Sequence, residues 1–241
     1  MGKHKTAKGK CPQVTTAENI EMDAFTVHVL LNSPLHLGSG QADVNVDAEV
    51  VHDQWGMPYF PAKRFKGLLY ESALEVSEIL AACGADSFTK EDVDTLFQHG
   101  CHAAVQLIIP NLYLPDYEAI CQEWAVLQQR YGDIFQPLDV LEQYTSLRYQ
   151  TRIDRETGTA ADTSLHNLRV VDAGLEFLGR IQLPGGNRQQ LMLLALALKN
   201  LTLAGGKRNR GFGEISCRME QDGRDIQALL IDTALREGGL A

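Results

Sequence analysis

Long apolar runs are missing from this 241-residue chain: the longest runs from Leu191 to Leu198. Eight residues are too few for a membrane-spanning helix. Cysteine is sparse, and Cys11, Cys83, Cys101, Cys121 and Cys217 include no C-x-x-C pair. No apolar stretch follows the basic opening MGKHKTAKGK. With an odd cysteine count, this leads us to expect reduced thiols in the cytoplasm. No internal repeat of useful length is visible. Apolar residues at 44% and charged residues at 22% are ordinary for a globular protein. Extracellular, membrane-spanning, collagenous and wholly disordered chains are thereby excluded. The length suits one large domain, or two small ones pressed together.

Positive charge is also in deficit. Lys plus Arg is 22 against 31 Asp plus Glu, a net −9. A generic nucleic-acid coat is basic overall, so this chain is not one. What cation there is comes in groups: Lys3, Lys5, Lys8 and Lys10; Lys63, Arg64 and Lys66; Arg148, Arg152 and Arg155; Lys207, Arg208 and Arg210. Each group alone reads as a solvated surface. Together they are able to hold a polyanion on an acidic body.

Residues 1–22 are polar and aperiodic and read as a flexible basic tail. Phe25, Val27, Val29 and Leu31 alternate and predict a strand over 24–31. A second alternation, Val44, Val46, Ala48 and Val50, predicts a strand over 44–53. After Pro61, a proline suited to a helix start, apolar residues at helical spacing predict a helix to about Ala82. Short helices are expected over 89–98, with Thr89 as cap, and over 117–131. Strands are expected over 103–109 and 174–183, and extended chain over 147–153. Asn187 caps an apolar helix over 188–201, and a strand over 213–219 and a helix over 226–236 close the chain. This order fits an α+β fold of the ferredoxin-like (RRM-like) type. Such a fold has an antiparallel sheet with helices on one face, here with an inserted subdomain at about 84–147.

Gly205 to Gly213 reads GGKRNRGFG, with Lys207, Arg208 and Arg210 threaded through glycines. Glycine lets backbone N–H groups approach a phosphate, and the cations supply charge. The segment is not a P-loop, because no Ser or Thr follows the lysine and a helix precedes it. Contact with an RNA backbone suits it. A helix C-terminal cap followed by a turn is the plain structural alternative.

GGKRNRGFGEI after an apolar helix resembles the C-terminal glycine-rich signature of the repeat-associated mysterious protein (RAMP) superfamily, RNA-binding subunits of CRISPR–Cas effector complexes. SPLHLGSG, Ser33 to Gly40, is similar to the segment after that family's first strand. GMPYFPAKRFKG, Gly56 to Gly67, resembles its G-x-P-Y-x-P-G-S-S-x-K-G helix entry. Here Ala62-Lys63-Arg64-Phe65 replaces the Gly-Ser-Ser segment and adds two cations. RIDRETGTA from Arg152, followed by Gly174 to Phe177, resembles I-D-R-x-T-G-x-A … G-x-x-F of type III backbone subunits. The likeness covers about 24–67 and 148–219, within a RAMP domain expected over 23–241.

The resemblance implies a guide-RNA-binding backbone subunit of a type III CRISPR–Cas effector complex in antiviral defence. Its partners would be guide RNA, target RNA and other effector subunits, with no membrane. It implies RNA contacts at His36, Lys63, Arg64, Lys66, Arg152 and Arg155, and through the loop at Gly205, Gly206, Lys207, Arg208, Arg210, Gly211 and Phe212. Base pairing would supply sequence specificity. Asp47 falls where type III backbone subunits carry the Asp that supports target-RNA cleavage, so it is the expected catalytic and metal-binding residue, with Mg²⁺ or Mn²⁺. In a strand, Glu49 would share its face about 7 Å away; a solvated strand face asks for polar residues there in any case. A non-catalytic structural subunit remains open. So does a metal-independent guide-processing endoribonuclease using His28 or His36 as general base. Phe60 and Phe212 are candidates for base stacking, whereas Phe65 and Tyr70 suit the core. Cys83, His99, Cys101 and His102 fit no common zinc template, and buried thiols are the default.

Overall fold

The computed structural model describes residues 23–42, 45–85, 87–100 and 107–239. The expected basic tail, the start of the expected 103–109 strand, and Cys101 and His102 lie outside the described residues.

Strand β1 (Ala24–Leu31) is central to a four-stranded sheet of order β4-β1-β5-β6. Its partners are β4 (Glu176–Gln182) and β5 (Ile215–Gln221), both antiparallel to it; β6 (Arg224–Asp225) closes the edge. β4 and β5 are therefore parallel to each other across β1, and helix α5 (Arg188–Asn200) joins them in a split βαβ unit. A fourth long strand, which the ferredoxin-like pattern asks for beyond β4, is replaced by isolated bridges from Ile108 to Gln182 and from Tyr113 to Leu178.

Alternation decides which face is covered. Phe25, Val27, Val29 and Leu31 are buried under α5 and α1 (Ala62–Ala82). His28 points to the opposite face, between Glu176 at 3.2 Å and Glu220 at 3.4 Å. Asn187 caps α5 in a reciprocal box with Gln190, and Thr89 caps α2 (Lys90–Phe97) in the same way with Asp92. α6 (Gln227–Glu237) packs on α5.

Within 84–147, α2 buries Val93, Leu96 and Phe97 in the core, and Leu112 lies between Phe60 and β4. α3 (Tyr117–Tyr131), in contrast, buries no residue. α4 (Pro137–Tyr144) was not anticipated; its signal is Pro137 at the helix start with Gln136 and Asp139 as capping box. It leads into a two-stranded sheet of β2 (Thr145–Gln150) and β3 (His166–Val171). Of the expected 44–53 strand, Val44 lies outside the described residues, and among the described residues 45–53 no strand forms: the chain there is irregular, with bridges only from Val50 to Gly38 and from His52 to Pro58. Glu49 and Val50 are both buried, which a period of two forbids. The carboxylate of Glu49 turns inward to meet Arg169 of β3, Oε1 to Nε 2.8 Å.

Candidate nucleic-acid interface

Three segments converge beside the start of α1. The first is 34–38, whose Leu35 exchanges both backbone hydrogen bonds with Val171 of β3 at 2.8 Å. The second is the glycine-rich loop, laid against the first by Gly213 N–H to the Pro34 carbonyl and Gly206 N–H to the His36 carbonyl. The third is the first turns of α1. Between them lies a cavity of about 440 Å³ lined by His36, Lys63, Arg64, Gly205 and Gly206, among others.

The glycines of the loop serve the fold first. Gly205 has φ +71, and a Cβ there would stand 2.6 Å from the His36 carbonyl oxygen. Gly213 has φ +81, and its Cβ would stand 1.9 Å from the Ala204 carbonyl oxygen. The Gly206 N–H is already donated to His36, so it is not available to a phosphate. The replacement Gly213→Ala is expected to cost about 2 kcal/mol or more, from backbone strain plus displaced chain, and urea denaturation reads it directly.

The helix entry is capped from outside. The Asn111 Oδ1 accepts the Ala62 N–H at 2.8 Å, so the chain enters α1 at Pro61 without a capping side chain of its own. The first turn contributes the positive end of a 21-residue helix to the cavity. Arg64 is steadied by donating to the Gly38 carbonyl at 2.6 Å. His36 Nδ1 lies 2.8 Å from the Arg169 carbonyl oxygen. A carbonyl only accepts, so Nδ1 carries the proton and Nε2 stays free in the cavity wall.

The loop cations divide between two sides. Lys207, at φ 59, sends Nζ to Gln150 Oε1 at 2.8 Å, and Arg210 reaches the same oxygen at 3.4 Å. Burial, and then the adjacent Arg210 charge, pull the Lys207 ammonium below its usual pKa. Arg208 lines a smaller cavity on the other side, with Glu71, Glu75 and Asn200. Gly211 is exposed and Phe212 half-buried. Lys66 is half-buried outside the main cavity. Among the described residues, none of Lys63, Arg64, Lys66, Lys207, Arg208 and Arg210 forms an ion pair, although acids outnumber bases in the chain.

Asp47 stands at the outer edge of the same β2–β3 hairpin. Its Oδ2 accepts the Asn167 N–H at 2.8 Å, and its own N–H donates to Asn167 Oδ1 at 2.9 Å. Asn167 adjoins His166, the partner of Gln150 across the hairpin. The loop cations and Asp47 thus hang on one two-stranded support. Asp47 is exposed and Glu49 is not, so the two carboxylates do not share a face. Among the described residues no group of three or more His, Cys, Asp or Glu is placed to hold a metal ion. Asp47 alone fits only an ion shared with a substrate phosphate, a common arrangement for Mg²⁺.

Arg152 and Arg155 sit at the tip of the hairpin, where every residue from 151 to 160 is exposed. The tip is ordered by Asp154, whose Oδ1 accepts the Glu156 and Thr157 N–H groups; these bonds hold its carboxyl below the usual pKa. Tyr149, Ile153 and Leu165 add exposed apolar surface to this arm. Phe60 does not join the interface: it is fully buried, edge-on to Phe65 and Phe177. Tyr70 is partly buried against Phe97 and His99. Sequence reasoning missed Gln150, Asn167, Arg169 and Asn111. Only Arg169 left a signal, as a charge inside the apolar run Leu168 to Val171.

The sequence profile of the RAMP superfamily matches residues 29–216. The chain belongs to the RAMP superfamily. Its fold is similar to that of a chain in the type III-B Cmr-beta complex bound to cognate target RNA, with TM-score 0.60 and 13% identity over 81% of this chain and 96% of that one. The apo state of Cmr-beta gives the same score and identity, over 84% and 99% of the two chains. No curated protein matches the sequence. Among the described residues no helix is long and apolar enough to cross a membrane.

Proposed function

We propose that this chain is a guide-RNA-binding subunit of a type III CRISPR–Cas effector complex in the cytoplasm, gripping RNA phosphates at the α1–glycine loop cavity. The observation that carries the proposal is the meeting of Lys63 and Arg64 with Gly205 and Gly206 around one cavity, beside Lys207 and Arg210, with no carboxylate among the described residues paired to any of these cations. Cations held apart from acids, one of them partly desolvated, gain most from a polyanion. Arg152 and Arg155, on the arm, would approach the guide–target duplex. The same fold occurs in the Cmr-beta complex with cognate target RNA, which supports guide RNA, target RNA and other effector subunits as partners.

In this reading Asp47 supports cutting of the paired target RNA. Asn167 fixes the Asp47 backbone and one carboxylate oxygen, Oδ2, and leaves Oδ1 to face a ribose 2′-hydroxyl or a bound ion. A divalent ion, Mg²⁺ or Mn²⁺, would offset the charge that grows on the phosphate being cleaved. Replacing Asp47 by Asn in the assembled complex is expected to lower target-RNA cleavage at least 100-fold while leaving guide RNA bound. Undiminished cutting would remove Asp47 from the reaction. A non-catalytic subunit is the second reading, favoured by the use of Oδ2 as a structural acceptor, and undiminished cutting is what it expects.

A further inference from the structure

A second surface of the molecule is shaped for a partner that RNA does not supply. α3 is a 15-residue helix that buries no residue, and a helix of that length is marginal on its own in water. It is nevertheless fastened at two points. Tyr117 stacks on Tyr113 at 4.1 Å and donates its O–H to Asp53 Oδ2 at 2.7 Å, and Trp124 meets Phe135 edge-on at 5.8 Å. From α3 into α4, Val126, Tyr131, Ile134 and Leu138 are exposed. Leu138 also lines a cavity of about 310 Å³ between α4 and residues 41–52, together with Pro137, Leu141, Gln41, Glu49 and His52.

Two polar groups of that cavity are left as acceptors. The Glu49 side chain is 10% exposed. Its Oε1 accepts the Arg169 Nε–H and the Val50 N–H, and its Oε2 accepts no hydrogen bond among the described residues. His52 Nδ1 lies 2.8 Å from the Asp53 carbonyl oxygen, so Nδ1 carries the proton and Nε2 accepts. A buried carboxylate oxygen without a donor is costly. The charge around the cavity points the same way. Residues 116–142 hold six acids against Arg130 alone, a net −5 of the chain's −9. None of these groups forms an ion pair among the described residues. Such a surface repels RNA and anionic lipid and attracts a basic protein face.

We infer that α3, α4 and this cavity form the docking surface for another protein subunit, which inserts an arginine into the cavity. The inference deepens the reading above, in which other effector subunits are partners, and rests on it. The aliphatic stem of the arginine lies on Pro137, Leu138 and Leu141. Its guanidinium, which only donates, satisfies Glu49 Oε2, with His52 Nε2 as a further acceptor. Apolar side chains around it cover Val126, Tyr131 and Ile134, and a basic rim faces the acids. A second copy of this chain cannot pair the surface with itself, because two net-negative faces would meet. The arm of a second copy carries Arg152 and Arg155, but these face the duplex in the reading above.

The test places the photo-reactive residue benzoylphenylalanine at Ile134 of the full-length chain and purifies the assembled complex with its guide RNA. The cross-link is expected to fall on a different protein subunit, close to an arginine. Leu138→Arg is expected to lower co-purification of that subunit about tenfold or more, with guide RNA retained. Ile79→Arg, exposed on α1 and not among the residues lining the cavity, adds the same charge and is expected to leave the subunit bound. Replacing the partner's arginine by Met, which leaves this chain intact, is expected to cost as much as Leu138→Arg. A cross-link to RNA, to residues 1–22 or to a second copy overturns the inference. So does the absence of a cross-link, or full retention of the subunit after either change. A chain that assembles with neither guide RNA nor other subunits is a different result and sinks the reading above as well.

Discussion

Replacing Glu49 by Ala is expected to destabilise the protein by about 3–5 kcal/mol. The Arg169 guanidinium is 5% exposed, and its Nε donates to Glu49 Oε1 at 2.8 Å. Among the described residues its other hydrogen bond is to the neutral Thr145 hydroxyl at 3.3 Å. Removing Glu49 leaves a buried cation without a counter-charge, and also strips the Val50 N–H of its acceptor. A domain of this size is stable by about 5–15 kcal/mol in all, so the loss is a large share of the total. The double change Glu49→Leu with Arg169→Met is expected to cost less than either single change, because it removes the charge rather than orphaning it. Urea denaturation of the two single variants and the double variant gives the coupling directly. A single-variant loss below about 1 kcal/mol would contradict the buried pair. The pair also joins the Asp47 segment to β3, where Arg169 N–H donates to the Ala48 carbonyl at 3.0 Å. Any RNA cleavage that depends on Asp47 is therefore expected to fall in Glu49→Ala below its loss of stability.

The second large effect concerns binding. The triple change of Lys63, Lys207 and Arg210 to Ala is expected to weaken binding of single-stranded RNA about 100-fold near 0.1 M salt. Each phosphate contact to a single strand contributes about 0.7 to the slope of log affinity against log salt. Loss of three contacts lowers that slope by about 2, and the same counter-ion release sets the loss of affinity. Lys199, exposed in the last turn of α5 and not among the residues lining the cavity, serves as control. It carries the same formal charge, so Lys199→Ala changes the net −9 by as much as any one of the three. If it weakens binding as much as Lys63→Ala, overall charge rather than a local clasp governs affinity, and the interface is elsewhere.

The elements with a clear period were legible before any coordinates. β1 and α1 carry enough apolar residues at period two or 3.6 to name both the element and its buried face, whereas α5, a continuous apolar run, and β5 were legible as elements alone. Thr89 and Asn187 marked two helix starts because their side-chain oxygens accept backbone N–H groups three residues on. The cations of the interface were legible too, since their grouping needs only adjacency in sequence. The 44–53 segment misled, because Val44, Val46, Ala48 and Val50 alternate as a strand does. Burial of Glu49 overrides that alternation through a partner 120 residues away.

What the amino-acid order determined by itself was local: helix and strand faces, caps, the glycines at positive φ, and the excess of acid over base. Those follow from dihedral preference and from solvation of one side of an element. The shared support was decided only by the tertiary structure. Gln150 takes Lys207 and Arg210 on one strand while Asn167 holds Asp47 on the next, and Asn111 closes the entry to α1 from outside it. These are polar contacts across long sequence separations, whose geometry depends on how the hairpin and the glycine-rich loop pack on residues 34–38. No periodicity encodes that distance, because hydrogen bonds between remote side chains form only once the burial of apolar faces has brought their backbones together.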